Sequence, residues 1–581
     1  MNYLKLYFKK VFFFIDKTYN KKITVIGILI FLNMFLELLS VGLIFPLVGI
    51  ILDPAFLDSY PTIKNFFFLI SPFKFLDVDI TFHLISGALL IFLFLIILKN
   101  IFVFFYNSYR QNFIYKLQLS LKIKSLQRLI GFPYDKFLKE NNADLITKNK
   151  YLESISVAVE NFLVVITEVI VLFSFIVLFF LLDPISMSII IFTIFPAVFL
   201  LSKTTRKKLL GYGDERRIND TLQLQYFTNI LNGIKEIKLF NNHQYFLDFF
   251  YTYSKKALYA NKKYQIITLT PRLVLEIILA LSLCIILIKG LLLNNDYKLI
   301  ISTTAVFMAS AIKLMPSLNK ILVSINSIKY YETSINILYD HEIKLRNFSQ
   351  KNKVLIGFKK NINFKNVSFG YSKDKKVLEN INLEIVNGDK IGIVGSSGMG
   401  KSTIVNLISG LLKHSSGDIY IDNNKVDYDF TLSNLSLIPQ NPFFANSSIK
   451  ENLCFGIDNN KINLNKVREV LKVVELFDLV NRMDKKLDTI VGEKGTSLSG
   501  GQLQRLGIAR SLYSNPDILI LDESTNALDK DTQKKIINNL FLNYKDKTII
   551  IISHDHNILG ECNKIYKIEN KRLLLKDNSN I

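Results

Sequence analysis

The sequence predicts two unlike parts: an α-helical membrane domain of six transmembrane helices, then an α/β domain built around a phosphate-binding loop. Three observations carry this expectation. Half of the 581 residues are hydrophobic, mean hydropathy is +0.28, and the apolar residues crowd the first 330 positions. Six stretches there are each long enough to cross a bilayer, which takes about 20 residues. Further on, short strands alternate with helices, and a glycine-rich loop lies between one strand and the next helix. A chain of this length is also too long for a single core.

The six spans fall at 23–52, 80–106, 162–182, 185–201, 266–293 and 299–323. No cleavable signal is expected, because Lys21 and Lys22 lead straight into a span too long for a signal-peptide core. Basic residues set the orientation. Lys5, Lys9, Lys10, Lys17, Lys21 and Lys22 precede the first span, and the loops after spans two and four are rich in Lys and Arg. The segment 53–79 carries only Lys64 and Lys74 among four aspartates, and Asp183-Pro184 is the whole turn between spans three and four. Both termini are therefore expected in the cytoplasm.

The cytoplasmic segments 107–161 and 202–265 keep a helical pattern with charged faces, so the spans are expected to continue as helices beyond the membrane. "YDKFLKENNADL" and "LQLQYFTNILNGIKEIKLF" then sit at the tips, placed to press on a cytoplasmic domain. A short external amphipathic helix is expected within "PTIKNFFFLISPFKF".

Net charge is +22, mostly from lysines in a chain rich in Asn and Ile. That bias, with the spans, argues against a nucleic-acid partner and for a membrane one. Cys284, Cys454 and Cys562 match no metal or disulfide spacing and are expected to be reduced. Ionisable residues inside spans are expensive and point to function unless they pair or snorkel. Lys99 lies about 29 Å along the second span from outside, where snorkelling to the inner headgroups explains it. Arg272, Lys313 and Glu37 are the candidate substrate residues. Glu168 and Glu276 are placed to neutralise the two cations, and Arg272 and Glu276, four apart, suit an intrahelical pair.

After a polar connection at 341–357 the second domain begins. In "KIGIVGSSGMGKSTIVNLISGLL", 390–394 reads as a buried strand and 403–412 as a helix, so Gly395, Ser396, Ser397, Gly398, Met399, Gly400, Lys401 and Ser402 fit GxxxxGK[ST] in its strand-loop-helix context. The glycines let backbone N–H groups approach phosphates, Lys401 reaches the β- and γ-phosphates, and Ser402 ligates Mg²⁺. The strand "ILILDE" delivers Asp522 and Glu523 at its carboxyl end, Asp522 to hold Mg²⁺ and Glu523 to polarise an attacking water. The turn in "LSGGQLQRLGIAR" is a third anion site, because Ser-Gly-Gly before a helix frees N–H groups and a hydroxyl at the positive end of the dipole.

With these motifs in this order, the chain resembles the ATP-binding cassette transporters, and among them the exporter-type half-transporters. The resemblance implies an exporter-type membrane domain at 1–340, a linker at 341–357 and an α/β P-loop NTPase nucleotide-binding domain at 358–581, an ATPase coupled to transport, with ATP and Mg²⁺ as cofactors. It places Tyr371 against adenine and Thr403 beside the phosphates. Gln440 becomes the Q-loop glutamine, at the metal and the attacking water. Ser499, Gly500, Gly501 and Gln502 become the signature turn, Asn526 to Asp529 the D-loop, His554 the switch histidine and Glu493 the exporter-like acidic residue. In this family the signature turn of one cassette closes over ATP held by another, so Ser499 donates to a γ-phosphate across an interface and one chain with one cassette implies a homodimer. Asn526 stands where exporters usually have Ser, and "SHD" where many have "AHR"; both touch tuning rather than hydrolysis.

The membrane half is similar to the flippases for lipid-linked oligosaccharides, on "FLELLSVGLIFPL", "LITKNK", "TEVIVLF", "TPRLVLE" and "KLMPSLNKI". That similarity implies a multi-pass protein of the bacterial inner membrane with its cassette in the cytoplasm, and a lipid-linked glycan as substrate. Export of peptides, other lipids or hydrophobic small molecules stays open, as does a channel or regulatory membrane protein. An importer is disfavoured because spans and cassette share one chain.

Overall fold

The computed structural model describes residues 2–52, 61–73, 79–182, 184–292, 297–349, 354–372, 375–396, 398–426, 430–492 and 497–576. The chain folds as two compact units, Met1–Gly131 with Glu140–Asn347, and Phe132–Lys139 with Phe348–Ile581.

The first unit is helical. Its elements are α1 (Asn2–Phe12), α2 (Asn20–Gly42), α3 (Ile44–Leu52), α4 (Pro61–Ile70) and α5 (Ile80–Ile130). After α6 (Tyr134–Phe137), which groups with the other unit, come α7 (Asn142–Leu182), α8 (Pro184–Asn232), α9 (Ile234–Phe240), α10 (His243–Leu292) and α11 (Tyr297–Ser349). Among the described residues five helices are long and apolar enough to cross a membrane. The sixth expected span, 299–323, lies in α11, where most side chains before Leu314 fall outside the described residues.

The helices outrun the bilayer as the charged periodicity predicts. At 51 residues and 1.5 Å per residue, α5 is about 76 Å long, against a hydrocarbon core of about 30 Å. The expected first span is divided at Leu43 into α2 and α3, because Pro46 has no N–H to offer the Gly42 carbonyl. Ahead of it α1 is a helix that composition had registered only as basic charge. Tyr7, Val11 and Phe14 bury against Tyr106, Leu117, Ile155 and Ile335, tying the N-terminus to three other helices. The external helix expected from the sequence is α4. It touches α5 at Gly87, where a Cβ would stand 1.9 Å from the Phe67 carbonyl oxygen.

The second unit begins with β1 (Val354–Ile356), β2 (Asn361–Ser372), β3 (Lys375–Val386), β4 (Lys390–Val394), α12 (Lys401–Ile408), β5 (Ser416–Ile421), β6 (Asn424–Lys425), β7 (Phe430–Leu432) and β8 (Leu435–Ile438). It continues through α13 (Ile449–Leu453), α14 (Leu464–Val473), α15 (Phe477–Arg482), α16 (Gly500–Tyr513), β9 (Ile518–Asp522), α17 (Lys530–Asn543), β10 (Thr548–Ile552), α18 (His556–Leu559), β11 (Lys564–Glu569) and β12 (Arg572–Lys576). The main sheet runs β12-β11-β4-β10-β9-β8, parallel except for β12. An antiparallel sheet, β3-β2-β5-β6, packs into the same core as α12 and one face of the main sheet. The other face carries α14, α16 and α17.

Two boundaries differ from expectation. The helix after the glycine-rich loop spans Lys401–Ile408 rather than 403–412; it starts at Lys401 because Gly400, left-handed at φ 97°, is its cap. Within 341–357, expected as a linker, α11 continues to Ser349 and Val354–Ile356 pairs with Phe430–Leu432. His341 and Leu345 pack that helix into the first unit's base. The three cysteines are free, with Cys454 and Cys562 buried.

Candidate functional site

The strand order β4-β10-β9-β8 sets four loops side by side at the carboxyl ends of parallel strands, where doubly wound sheets bind ligands. The loop after β4 holds Gly395 to Gly400, His554 follows β10, Asp522 ends β9, and Gln440 follows β8. Continuous apolar runs such as Ile518 to Leu521 and Ile549 to Ile552 bury both faces of their strands and leave the first polar residue at the rim.

The side chains converge. The buried Lys401 Nζ donates to the Gly395 carbonyl at 2.8 Å, meets His554 Nε2 at 2.8 Å and pairs with Glu523 at 3.1 Å. Gln440 Nε2 donates to Glu523 Oε2 at 3.0 Å, and His554 lies 3.3 Å from Oε1. Glu523 sits at φ 50°, an uncommon conformation for a non-glycine residue, and its N–H donates to the Ile552 carbonyl. Ser402 hydrogen-bonds Asp522, whose carboxyl is held above the ordinary range first by burial and then by the Glu523 charge. Gly398 has φ 83° and open space around the position of a Cβ. Tyr371 is partly exposed, edge-on to Phe369, with its hydroxyl 3.4 Å from that of the buried Thr403. Lys139 donates to the Tyr371 carbonyl at 3.0 Å, so a residue of the 107–161 segment belongs to this unit.

The signature turn caps α16. Ser499 Oγ accepts from the Gln502 N–H at 3.3 Å and Gln502 Oε1 accepts from the Ser499 N–H at 2.9 Å, a reciprocal capping box. The Ser499 hydroxyl is used only as an acceptor there, which leaves its proton to donate. A Cβ on Gly501 would press on the Ala527 carbonyl at 3.0 Å, whereas one on Gly500 would meet only the Ala527 Cβ, at 4.0 Å. Asp529 caps α17 by accepting from the Thr532 N–H, and Asn526 donates to Glu523 at 3.4 Å. Ser397 and Glu493 lie outside the described residues.

Two residues of α16 that the motif did not single out join these loops. Gln504 is buried and its Oε1 accepts from the Ala527 N–H at 2.9 Å. Arg510 donates to the carbonyls of Asn452 and Phe443, each at 2.7 Å, between the rings of Phe444 and Phe455. No local pattern in the sequence singles them out, because α16 also carries Gln502, Arg505 and Ser511.

In the membrane unit the two described candidate substrate side chains, Arg272 and Glu37, are each paired elsewhere. Arg272 is exposed and pairs with Glu276 at 3.1 Å, one helical turn away on α10. The Lys313 side chain lies outside the described residues. Glu37 pairs with Lys99 at 3.5 Å, and Lys99 is buried rather than snorkelled, because this carboxylate reaches it from α2. Glu168 pairs with Lys320, at 2.7 Å.

A membrane-spanning helical unit joined to an α/β unit with a glycine-rich phosphate loop defines a membrane-embedded nucleotide-binding protein. The ABC transporter transmembrane region matches residues 26–317 and the ABC transporter domain residues 378–526, and the chain belongs to the ABC transporter family. It is 38% identical over 226 residues to the uncharacterized ABC transporter ATP-binding protein YwjA of Bacillus subtilis, covering 38% of this chain and 39% of that one. It is 27% identical over 466 residues to the ATP-dependent lipid A-core flippase of Escherichia coli K12, covering 78% and 79%. The matched regions span 39%, 57% and 59% of the first three curated relatives. Its fold is that of a bacterial Atm1-family ABC exporter solved with ATP bound, with TM-score 0.78 over 96% of this chain and 95% of that one, at 20% identity.

Proposed function

We propose that this chain is an ATP-driven exporter or flippase of the bacterial inner membrane that acts as a homodimer and moves a lipid-linked oligosaccharide or related glycolipid from the inner to the outer leaflet. Residues 1–340 belong to its transmembrane domain and 358–581 to its cytoplasmic cassette, with the boundary inside 341–357, where α11 runs to Ser349 and β1 begins at Val354. The observation that carries the reading is the meeting of Lys401, Gln440, Glu523 and His554 around one point at the carboxyl ends of β4, β8, β9 and β10.

The residues fit ATP and Mg²⁺. Positive φ at Gly398 and Gly400 turns the loop's N–H groups toward a phosphate, and no Cβ blocks Gly398. Ser402, Asp522 and Gln440 offer the hard oxygen donors that Mg²⁺ takes, and bound Mg²⁺ neutralises charge on the phosphates. Glu523 accepts the proton of the attacking water, while Gln440 and His554 hold its carboxylate and the water in place. Lys401 draws the phosphate oxygens and Tyr371 offers its ring to the adenine. Ser499 donates its free proton from the partner cassette, and the open space at Gly500 admits the phosphate that this requires.

The relative in Escherichia coli named a lipid A-core flippase supports a lipid as cargo. Glu523→Gln tests the chemistry: turnover should fall by roughly 10² or more, the scale of a lost general base, with ATP binding retained. Movement of a lipid-linked glycan across proteoliposomes tests the cargo. Wild-type ATPase in Glu523→Gln, or stimulation by a peptide but by no glycolipid, defeats the respective half of the proposal.

A further inference from the structure

Between α2, α5, α7 and α11 lies a cavity of about 480 Å³, lined among others by Asn33, Glu37, Arg110, Thr167, Glu168 and Lys320. A pure packing void between membrane helices is apolar. This one is polar, and much of its polarity is already spent. Glu37 is paired with Lys99 and Glu168 with Lys320, while the Thr167 hydroxyl bonds that of Tyr106 at 2.8 Å.

Two groups remain. Asn33 is 7% exposed and its Oδ1 has no hydrogen-bond partner. Arg110 lies with its guanidinium 5.5 Å from the Tyr106 ring centre, its Nε buried and without an acceptor. Among the described residues no carboxylate stands within ion-pair distance of Arg110, so two neutralised pairs flank one uncompensated cation. Buried polar atoms without partners are rare and costly, and a guanidinium is the side chain best shaped for phosphate. Arg110 is 30 residues beyond Ile80, about 45 Å along the helix, which is the level of the inner headgroups.

We propose that this cavity is a binding site for the phosphoryl group of an amphiphile in the inner leaflet, with Arg110 contacting the phosphate, Lys320 at its edge and Asn33 accepting from a hydroxyl of the same head group. It rests on the flippase reading and moves the site of recognition away from Arg272. Among the described residues Arg110 has no ion-pair partner, whereas Arg272 is neutralised on its own helix.

The test uses the full chain in micelles of a maltoside detergent, which carries no phosphate, with dodecyl phosphate, dodecanol and inorganic phosphate as probes and native mass spectrometry as the readout. Arg110→Gln should weaken dodecyl phosphate binding by about tenfold or more, the scale of one lost charge-assisted contact. Arg110→Lys should recover part of it, Arg272→Gln should change nothing, and dodecanol should bind all variants alike. If Arg110→Gln does not fold, Asn33→Ala carries the test, with an expected loss of about threefold or more. Binding within twofold of wild type in a folded variant overturns the site. Equal competition by inorganic phosphate at the same concentration overturns the lipid and leaves a simple anion site. Movement of a phosphorylated glycolipid by Arg110→Gln at the wild-type rate keeps the function and loses the site. Arg110-dependent binding without movement keeps the site and loses the function.

Discussion

Arg510→Met is the most exacting test of how the cassette is held. The guanidinium donates to the Asn452 carbonyl at 2.7 Å, to Asn452 Oδ1 at 3.3 Å and to the Phe443 carbonyl at 2.7 Å. Burial holds its pKa down at about 10, so it stays charged at neutral pH. Methionine keeps most of the volume between Phe444 and Phe455 and removes every donor. Phe443 is exposed and water replaces the lost partner there, whereas Asn452 is fully buried: its Oδ1 keeps the Ala445 N–H, but its backbone carbonyl loses the Arg510 donor. One orphaned buried acceptor gives a loss of about 1–3 kcal/mol. For a domain of this size each kcal/mol moves Tm by about 2–4 °C, so the cassette transition should drop by about 2–12 °C. Asn452 also holds the loop after Gln440, through the N–H and carbonyl of Ala445. ATP turnover at 25 °C should therefore fall by about tenfold, while Arg510→Lys, lacking the fork, should recover little of either loss. The assay is thermal unfolding and ATPase of the full chain in nanodiscs. A shift under about 2 °C with normal turnover refutes the reasoning.

Three further predictions follow the same logic. Subunits carrying Lys401→Ala mixed with subunits carrying Ser499→Arg put both lesions in one site and neither in the other, so the mixed dimer should trap nucleotide where neither homodimer does; no trapping argues against sharing across subunits. Burial, then Lys148, holds the His341 imidazole down at about 4 against an ordinary 6.5. Between those values the unfolded chain binds the proton and the folded chain does not, so stability falls as pH falls through that window, and His341→Gln should flatten the slope of Tm from pH 7 to 5; an unchanged slope removes His341 from the account. Gly87→Ala drives a Cβ to 1.9 Å from the Phe67 carbonyl and should lift α4 off α5 at a cost of about 1–3 kcal/mol, read as faster labelling of a cysteine placed at the buried Phe67.

Much was legible in the sequence because its signals are local. Apolar runs, the glycine-rich loop, the strand before Asp522 and Glu523, and the Ser-Gly-Gly-Gln turn each fit within about twenty residues, and their periodicity or backbone demands show there. The helix α4 and the extension of the long helices beyond their apolar stretches are legible for the same reason. The division of the first span at Leu43 was present too, in Pro46, for a reader who counted back to the carbonyl it leaves without a donor.

Pairing was not legible, because a partner across the fold leaves no mark on local pattern. Only the packed helices decide that Lys99 meets Glu37 from 62 positions away in sequence, that Lys320 meets Glu168, or that Arg510 bridges to Asn452. The sequence by itself determined which residues bear charge inside the membrane and which loops call for a phosphate. The tertiary structure decided which of those charges are already neutralised and left Arg110 and Asn33 facing one cavity. The physical reason is that burial cost is set by the distance to a compensating group, a property of the folded chain rather than of any stretch of it.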